Sequence, residues 1–110
     1  MAGVPKEWVV IFDGDAVIDF EGVKSRGERK AVFNVVDKLR ALGPDLPSPH
    51  IKSLKGETDL FELRPKQGNS PVRALYARLG GRFVVLAVAA KKGGFDAAVA
   101  DAKERLKRYR

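Results

Sequence analysis

The chain has no cysteine and only one histidine among its 110 residues. Without cysteine it can form neither disulfides nor thiolate metal sites, and it can fold in a reducing compartment. One histidine without a close cluster of carboxylates supplies too few ligands for a transition-metal site. We therefore expect no metal and no cofactor, so any catalysis must be carried out by side chains without a metal.

Long apolar runs are also missing from the sequence. The longest, residues 83–90, has eight residues, whereas a transmembrane helix needs roughly 20. The first residues lack the basic-then-apolar pattern of a secretory signal. We therefore expect a cytoplasmic protein, and its length favours a single domain over residues 1–110, large enough for one core.

Positive charge is abundant but unevenly distributed. The net charge is +7 and the sequence pI is about 9.9. Residues 1–50 contain seven Lys and Arg against eight Asp and Glu, whereas residues 51–110 contain fourteen against six. Since a basic surface attracts phosphates and releases their counterions, the C-terminal half is the expected site for a polyanionic partner.

The apolar pattern predicts an α+β fold. A capping box, Ser25-x-x-Glu28, begins the clearest helix, and Gly43-Pro44 ends it. An almost wholly apolar stretch at 82–90 predicts a strand that is covered on both faces. The predicted elements in chain order are a strand at 7–12, helices at 16–23 and 25–42, a proline-rich connector at 44–50, strands centred on 60–64, 72–78 and 82–90, and a helix at 95–110.

The cations of the second half fall on or beside the predicted strands, where a sheet can hold them in fixed positions. A basic and rigid groove is typical of a nucleic-acid-binding surface. The cations in question are Lys52, Lys55, Arg64, Arg73, Lys91 and Lys92. The cations at the end of the last helix can instead serve solubility or the helix dipole.

The ordered set of elements and motifs resembles the RelE/HigB toxins of bacterial toxin–antitoxin pairs, and more narrowly their phage-derived HigB-like branch. The resemblance covers nearly the whole chain. The segments that carry it are Leu46-Pro47, Leu54-Lys-Gly56, Leu60-Phe-Glu-Leu-Arg64, Arg73-x-x-Tyr76, Lys91-Lys92 and Ala102-Lys-Glu-Arg-Leu106. It implies a RelE-like fold: an N-terminal strand, a helical hairpin, an antiparallel meander in a small mixed sheet of four or five strands, and a C-terminal helix.

The same resemblance implies a ribosome-dependent endoribonuclease that cuts messenger RNA in the A site. The 2′-hydroxyl of one nucleotide attacks the adjacent phosphate without a metal, and translation stops. This chemistry requires a proton acceptor, cations around the phosphate and a donor for the leaving oxygen. The sequence leaves acceptor and donor unassigned, although His50 in the connector has a side chain that ordinarily titrates near neutrality.

The resemblance implies catalytic roles for four residues. Arg64 matches a basic position of the family, and its guanidinium can bind a phosphate through two hydrogen bonds; an ion pair with Glu62 is the alternative. Lys55 is the second catalytic residue, and strand alternation places it on the opposite face from Lys52.

Arg73 and Tyr76 are the remaining two catalytic residues that the resemblance implies. They are three positions apart on one strand, so they share a face only if a bulge intervenes. Tyr76 is equally compatible with a place in the core.

RNA-binding roles are expected for the other basic and aromatic positions. Lys91 and Lys92 follow the central strand, where loops often carry function. The full set of expected RNA-binding residues is Lys52, Lys91, Lys92, Arg82 and Tyr109.

The sequence departs from the family just before and after the two lysines. It has Ala89-Ala90 where relatives carry an aromatic residue or histidine, and Gly93-Gly94-Phe95 replaces their polar turn. Two further functions therefore stay open: a ParE-like inhibitor of DNA gyrase with the same fold, and a basic nucleic-acid-binding module without chemistry. The expected partners are mRNA, the ribosome and a helix-turn-helix antitoxin, with no membrane.

Overall fold

A five-stranded mixed sheet organises the protein, seen in a computed structural model that describes residues 7–54, 56–57 and 59–110. Its strands are Val9–Phe12 (β1), Ile51–Ser53 (β2), Leu60–Leu63 (β3), Val72–Leu79 (β4) and Arg82–Ala90 (β5). They lie in the order β1-β5-β4-β3-β2. The β1–β5 pair is parallel and the other pairs are antiparallel, which confirms the expected α+β fold with an antiparallel meander.

Three helices accompany the sheet: Gly14–Glu21 (α1), Arg26–Leu42 (α2) and Lys91–Leu106 (α3). The Asp13 carboxylate accepts a hydrogen bond from the Asp15 N–H and caps α1. The Ser25 hydroxyl accepts from the Glu28 N–H at 3.2 Å, which confirms that α2 begins at the predicted capping box. The helical hairpin between β1 and the meander is therefore present.

The two faces of the sheet are covered by different helices. Val32, Val36 and Leu39 of α2 pack with Tyr76 and Val85 on one face. On the other face, Ala98, Ala102 and Leu106 of α3 pack with Leu75 and Leu86. Because strand residues alternate between faces, β4 and β5 contribute to both apolar clusters, as the apolar sequence of residues 82–90 predicts.

Two features of the fold differ from the sequence prediction. The sheet gains a short strand, β2, from residues that directly follow the proline-rich connector. Residue 91 already belongs to α3, four positions before the predicted start, but Lys92 and Gly93 have non-helical backbone angles, so a turn separates β5 from the regular helix. In the described ranges, no helix is long and apolar enough to cross a membrane.

Candidate functional site

A cleft of about 380 Å³ opens on the α3 face of the sheet, between the β2–β3 pair and the beginning of α3. We call it the β2–α3 cleft. It is lined by Lys52, Ser53, Leu54, Glu57, Glu62, Lys91, Phe95, Asp96 and Val99. An apolar wall beside charged groups allows a ligand to be held by contact and by charge together.

Lys52 and Glu62 meet in this cleft because β2 and β3 are paired in register. The two residues lie directly opposite each other, so their side chains project from the same face of the sheet. Lys52 is exposed, whereas Glu62 is only 4% exposed. A buried carboxylate therefore lies beneath an accessible ammonium group.

Lys91 lies at the other side of the cleft, and backbone contacts fix its position. Its N–H donates to the carbonyl of Pro71 at 2.7 Å, which ties the start of α3 to the beginning of β4. Lys52, Lys91 and Lys92 are exposed, and within the described residues none of them forms an ion pair. These ammonium groups are therefore available to an anionic ligand.

Arg64 follows β3 and shares a face with Glu62. Its Nε lies 3.8 Å from the Glu62 Oε1, so the ion pair named as the alternative is present. The Nε is buried and has no hydrogen-bond partner among residues 7–54, 56–57 and 59–110, while 23% of the side chain is exposed. Gly68, at φ +95°, makes room for the guanidinium, since a Cβ there would lie 2.8 Å from Nη2. The guanidinium is thus held near the cleft without being saturated by protein groups.

Arg73, in contrast, is a structural residue in this fold. Its side chain is 3% exposed, and its Nε donates to the Glu62 Oε1 at 2.7 Å. Its Nη atoms donate to the carbonyls of Ser70, Val72 and Gly68. All of its nitrogens bind protein groups, so the expected catalytic role is corrected to fastening the 65–70 loop to the sheet.

Tyr76 lies in the core on the opposite face. It is 3% exposed, and its ring stacks on Phe61 at a centroid distance of 5.5 Å. Burial raises the pKa of Tyr76 to about 12, so its hydroxyl stays protonated. The register shift beside Leu75 and Tyr76 adds its extra residue to β5, so Arg73 and Tyr76 keep opposite faces. The expected catalytic role of Tyr76 is therefore corrected to packing.

Arg82 and Tyr109 lie far from the β2–α3 cleft. Arg82 begins β5 and Lys91 follows its end, so about 25–30 Å separates them along the strand. The Tyr109 hydroxyl donates to the Asp13 carboxylate at 2.6 Å, next to the start of α1. The predicted RNA-binding residues thus divide between two ends of the sheet, and only Lys52, Lys91 and Lys92 lie at the cleft end.

Lys55, expected to be catalytic, lies outside the described residues. His50 contacts the α2 side of the fold, in a surface depression with Lys38 and Lys66. Partial burial, together with the charge of Lys38, lowers the pKa of His50, and the residue does not line the β2–α3 cleft.

Glu62 is the residue of the site that sequence reasoning undervalued. The sequence indicates it only as an ion-pair partner of Arg64, yet it lies on the cleft floor and also accepts a hydrogen bond from Arg73. The signal was available in the alternation of β3, which places Glu62 and Arg64 on one face. Across the described ranges, no group of three or more His, Asp or Glu residues is close enough to hold a metal ion.

Comparison with known proteins identifies the family and the fold. Residues 23–108 match the family described as "Phage derived protein Gp49-like (DUF891)". No curated protein matches the chain in sequence.

Several solved structures share the fold. A mutant of E. coli toxin RelE in the free state superposes with a TM-score of 0.67 at 16% identity, over 90% of this chain and 97% of that one. The RelB–RelE antitoxin–toxin complex of Methanococcus jannaschii gives 0.62 at 18% identity, over 79% and 96%. The archaeal RelE–RelB complex of Pyrococcus horikoshii OT3 gives 0.58 at 15%, over 78% and 97%. The chain therefore belongs to the phage-derived Gp49-like family and has the fold of the RelE toxins.

Proposed function

We propose that this protein is the toxin of a toxin–antitoxin pair and that it stops translation by cleaving mRNA in the ribosomal A site. The reaction is a metal-independent attack of a 2′-hydroxyl on the adjacent phosphate. The shared fold supports the toxin class, because the similar solved structures are RelE toxins. The exposed lysines at the β2–α3 cleft, Lys52, Lys91 and Lys92, support RNA as the substrate.

One observation carries the proposal: two exposed lysines that form no ion pair with any described residue line the β2–α3 cleft, and a partly exposed arginine lies beside it. Lys52 and Lys91 line the cleft, and Arg64 contacts its buried carboxylate. Unpaired ammonium groups can neutralise RNA phosphates, which releases counterions and makes the binding salt-dependent. A DNA gyrase inhibitor that acts through protein contacts has no comparable requirement for cations in a cleft.

Each of these cations has a distinct proposed role. Lys52 and Lys91 bind the phosphates on either side of the scissile bond, and Lys92 extends the basic surface outside the cleft. Arg64 neutralises the charge that grows on the equatorial phosphate oxygens, since a guanidinium can donate two parallel hydrogen bonds. Lys55 keeps its proposed catalytic role on the strength of its sequence position alone.

A cognate antitoxin is part of the proposal. Two of the similar structures are complexes of RelE with RelB. We propose that the antitoxin of this protein is a helix-turn-helix protein with an acidic or apolar segment that covers the β2–α3 cleft and its exposed lysines. The ribosome as target places the protein in the cytoplasm.

Mapping of mRNA ends after brief expression tests the proposed function, with a parallel assay on purified mRNA with and without ribosomes. The wild-type protein should cut at codon positions only when ribosomes are present. Arg64→Ala should reduce cleavage by about 10²–10³-fold, because it removes a group that stabilises the transition state. Lys107→Ala is the matched control, since it removes an exposed cation at the opposite end of α3.

Three results would contradict the proposal. Intact mRNA together with inhibited supercoiling would indicate the gyrase inhibitor. Binding to RNA without cleavage would indicate a nucleic-acid-binding module. Equal loss of cleavage in Arg64→Ala and Lys107→Ala would mean that net charge, rather than the cleft, determines activity.

A further inference from the structure

We propose that Glu62 is the general base of the reaction, which accepts the proton of the attacking 2′-hydroxyl. This assignment rests on the proposed ribonuclease function and concerns the same cleft. It identifies the proton acceptor that the sequence left unassigned.

The position of Glu62 suits this role. The residue lies on the floor of the β2–α3 cleft, directly opposite Lys52 across the β2–β3 pair. A phosphate bound by Lys52 would therefore have its neighbouring ribose within reach of the carboxylate. A general base must come within about 3 Å of the proton that it removes, which only groups lining the binding cleft can do.

The arginine contacts leave one carboxylate oxygen for the substrate. Arg73 donates to Oε1 at 2.7 Å, and the Arg64 Nε lies 3.8 Å from the same oxygen. Oε2 has no hydrogen-bond partner within the part of the chain that the structure describes. Arg73 thus fixes the orientation of the carboxylate while Oε2 remains to accept a proton.

The nearby guanidinium of Arg64 links proton removal to charge stabilisation. As the 2′-hydroxyl loses its proton, negative charge moves to the phosphate oxygens, where a cation lowers its energy. Arg64 is close enough to Glu62 to form an ion pair, so a phosphate in reach of one is in reach of the other. The proposed base, Glu62, and the cation that stabilises the phosphate charge, Arg64, are therefore adjacent, as an in-line attack on the neighbouring phosphate requires.

The 2′-O–H proton moves to the Glu62 Oε2, and the 2′-oxygen forms a bond to phosphorus. The P–O5′ bond breaks, and the 5′-oxygen leaves with the bonding pair and takes a proton from water. The products are a 2′,3′-cyclic phosphate and a 5′-hydroxyl, and the Glu62 carboxyl returns its proton to the hydroxide that remains.

Other candidate bases are less well placed. Tyr76 is buried on the opposite face, and His50 lies against α2. Glu57 lines the cleft, but its carboxylate binds Lys103 at 3.4 Å. Asp96 is exposed on α3 and makes no ion pair with any described residue, so no neighbouring side chain fixes its carboxylate as Arg73 fixes that of Glu62.

The pH dependence of cleavage should reflect the protonation of Glu62, which is surrounded by other charged groups. The charged groups that face it from the surrounding elements are Lys52, Glu57, Arg64, Arg73, Lys91 and Asp96. A carboxylate base accepts a proton only when it is ionised, so wild-type cleavage should fall at acid pH.

Glu62→Gln tests the assignment, with the full-length protein, ribosomes and single-turnover cleavage of mRNA. The glutamine carbonyl can still accept from Arg73, so the fold should survive. We expect cleavage to slow by about 10²–10⁴-fold and the acid limb of the pH–rate profile to disappear. Affinity for an uncleavable 2′-deoxy analogue should stay within about threefold of wild type, since the lysines and Arg64 remain.

Asp19→Asn is the matched control. Its carboxylate binds Arg105 at 2.7 Å, the same distance as in the Glu62–Arg73 pair, but it lies on α1 outside the cleft. The control should cleave at the wild-type rate with the acid limb intact. If Glu62→Gln does not fold, as judged by its thermal unfolding, Glu62→Asp replaces it: the shorter carboxylate should cleave at least tenfold more slowly and keep the acid limb.

Cleavage by Glu62→Gln within about threefold of wild type, or an unchanged acid limb, would overturn the assignment and leave the proposed function standing. Cleavage by Glu62→Asp at the wild-type rate would do the same. A wild-type protein that does not cleave mRNA would overturn the proposed function, and the assignment with it.

Discussion

The two ends of α3 both carry cations, but they use them differently. At the C-terminal end of α3 and in the residues that follow it, the basic side chains bind carboxylates of the same chain. We call these contacts the C-terminal network, and they are Lys103–Glu57, Arg105–Asp19, Lys107–Glu104, Arg108 with Asp13 and Asp15, and Arg110–Asp59. At its beginning, Lys91 and Lys92 point to solvent without a partner among the described residues, and Lys52 lies across the cleft.

The difference shows that ion pairing, more than the number of cations, decides which side chains remain available to a polyanion. Asp13, Asp15 and Asp19 come from the N-terminal half, so the two halves of the chain neutralise each other across the fold. The strong basic excess of residues 51–110 therefore overstates the charge available to a ligand. Among the described cations of residues 51–110, those that form no ion pair are Lys52, Arg78, Arg82, Lys91 and Lys92, and three of these five lie at the cleft end of the sheet.

The largest effect should come from breaking the buried pair beneath the cleft. Arg73→Met removes the closer of the two guanidinium groups that compensate the buried Glu62 carboxylate, so we expect a loss of about 3–5 kcal/mol in the free energy of unfolding. Urea unfolding monitored by circular dichroism measures it. Wild-type stability combined with lost cleavage would contradict the structural role that we assign to Arg73.

A smaller loss is expected at the other end of α3. Arg105 donates to Asp19 at 2.7 Å and to the carbonyl of Leu86 at 2.9 Å, beside the part of β5 that lies beyond β1. Arg105→Met should cost about 1.5–3 kcal/mol, the usual range for hydrogen bonds to charged groups. The same unfolding assay applies, and RNA binding should be unchanged. Weaker RNA binding by the folded variant would show that the C-terminal network also contacts RNA.

The comparison can be sharpened with two double variants of equal charge. Lys52→Ala/Lys91→Ala should lower the slope of log affinity against log salt by about 2 for single-stranded or ribosome-bound RNA, roughly one unit per phosphate contact. Lys107→Ala/Arg110→Ala removes the same charge from paired positions whose partners do not line the cleft. Its slope should match wild type. Equal slopes for the two double variants would mean that RNA does not distinguish the two ends.

The smallest effect concerns pH. Burial raises the pKa of Asp13, but hydrogen bonds from Tyr109 and the Asp15 N–H and the charge of Arg108 outweigh it, so the net pKa is lowered. A carboxylate with a lowered folded-state pKa stabilises the protein above its unfolded pKa of about 4, and this stabilisation is lost as pH falls further. Tyr109→Phe should therefore cost about 1 kcal/mol at pH 7.

This difference in the free energy of unfolding between wild type and Tyr109→Phe should shrink as the pH is lowered from 7 to 3. The hydrogen bond from Tyr109 stabilises the ionised carboxylate of Asp13, and this stabilisation is lost when Asp13 is protonated. Thermal unfolding across the pH series measures it. A constant difference would indicate that Tyr109 stabilises the fold by packing alone.

Much of the fold could be predicted from local sequence signals. The capping box at Ser25, the stop at Gly43 and the apolar strand at 82–90 are each encoded within a few residues, and each is confirmed. The strand β2 has only three residues and depends on its pairing with β3, so no local sequence pattern predicts it.

The site was less predictable, because its charges depend on contacts between distant segments. Arg73 looks like a surface cation in sequence, yet its partner Glu62 is eleven positions away, on the neighbouring strand. Tyr109 looks like a stacking residue, but its partner Asp13 is 96 positions away. Only the fold reveals which cations are already neutralised, whereas strand alternation alone correctly separated Arg73 from Tyr76.

The central claim is that the unpaired end of α3, and not the C-terminal network, binds RNA. The most direct measurement is an NMR titration of the 15N-labelled protein with an uncleavable 2′-deoxy oligonucleotide, which needs no catalysis. We expect saturable amide shift changes at 52–54, 62–64 and 91–95, and none at 103–110. Shift changes centred on 103–110, with the cleft residues unaffected, would contradict the account.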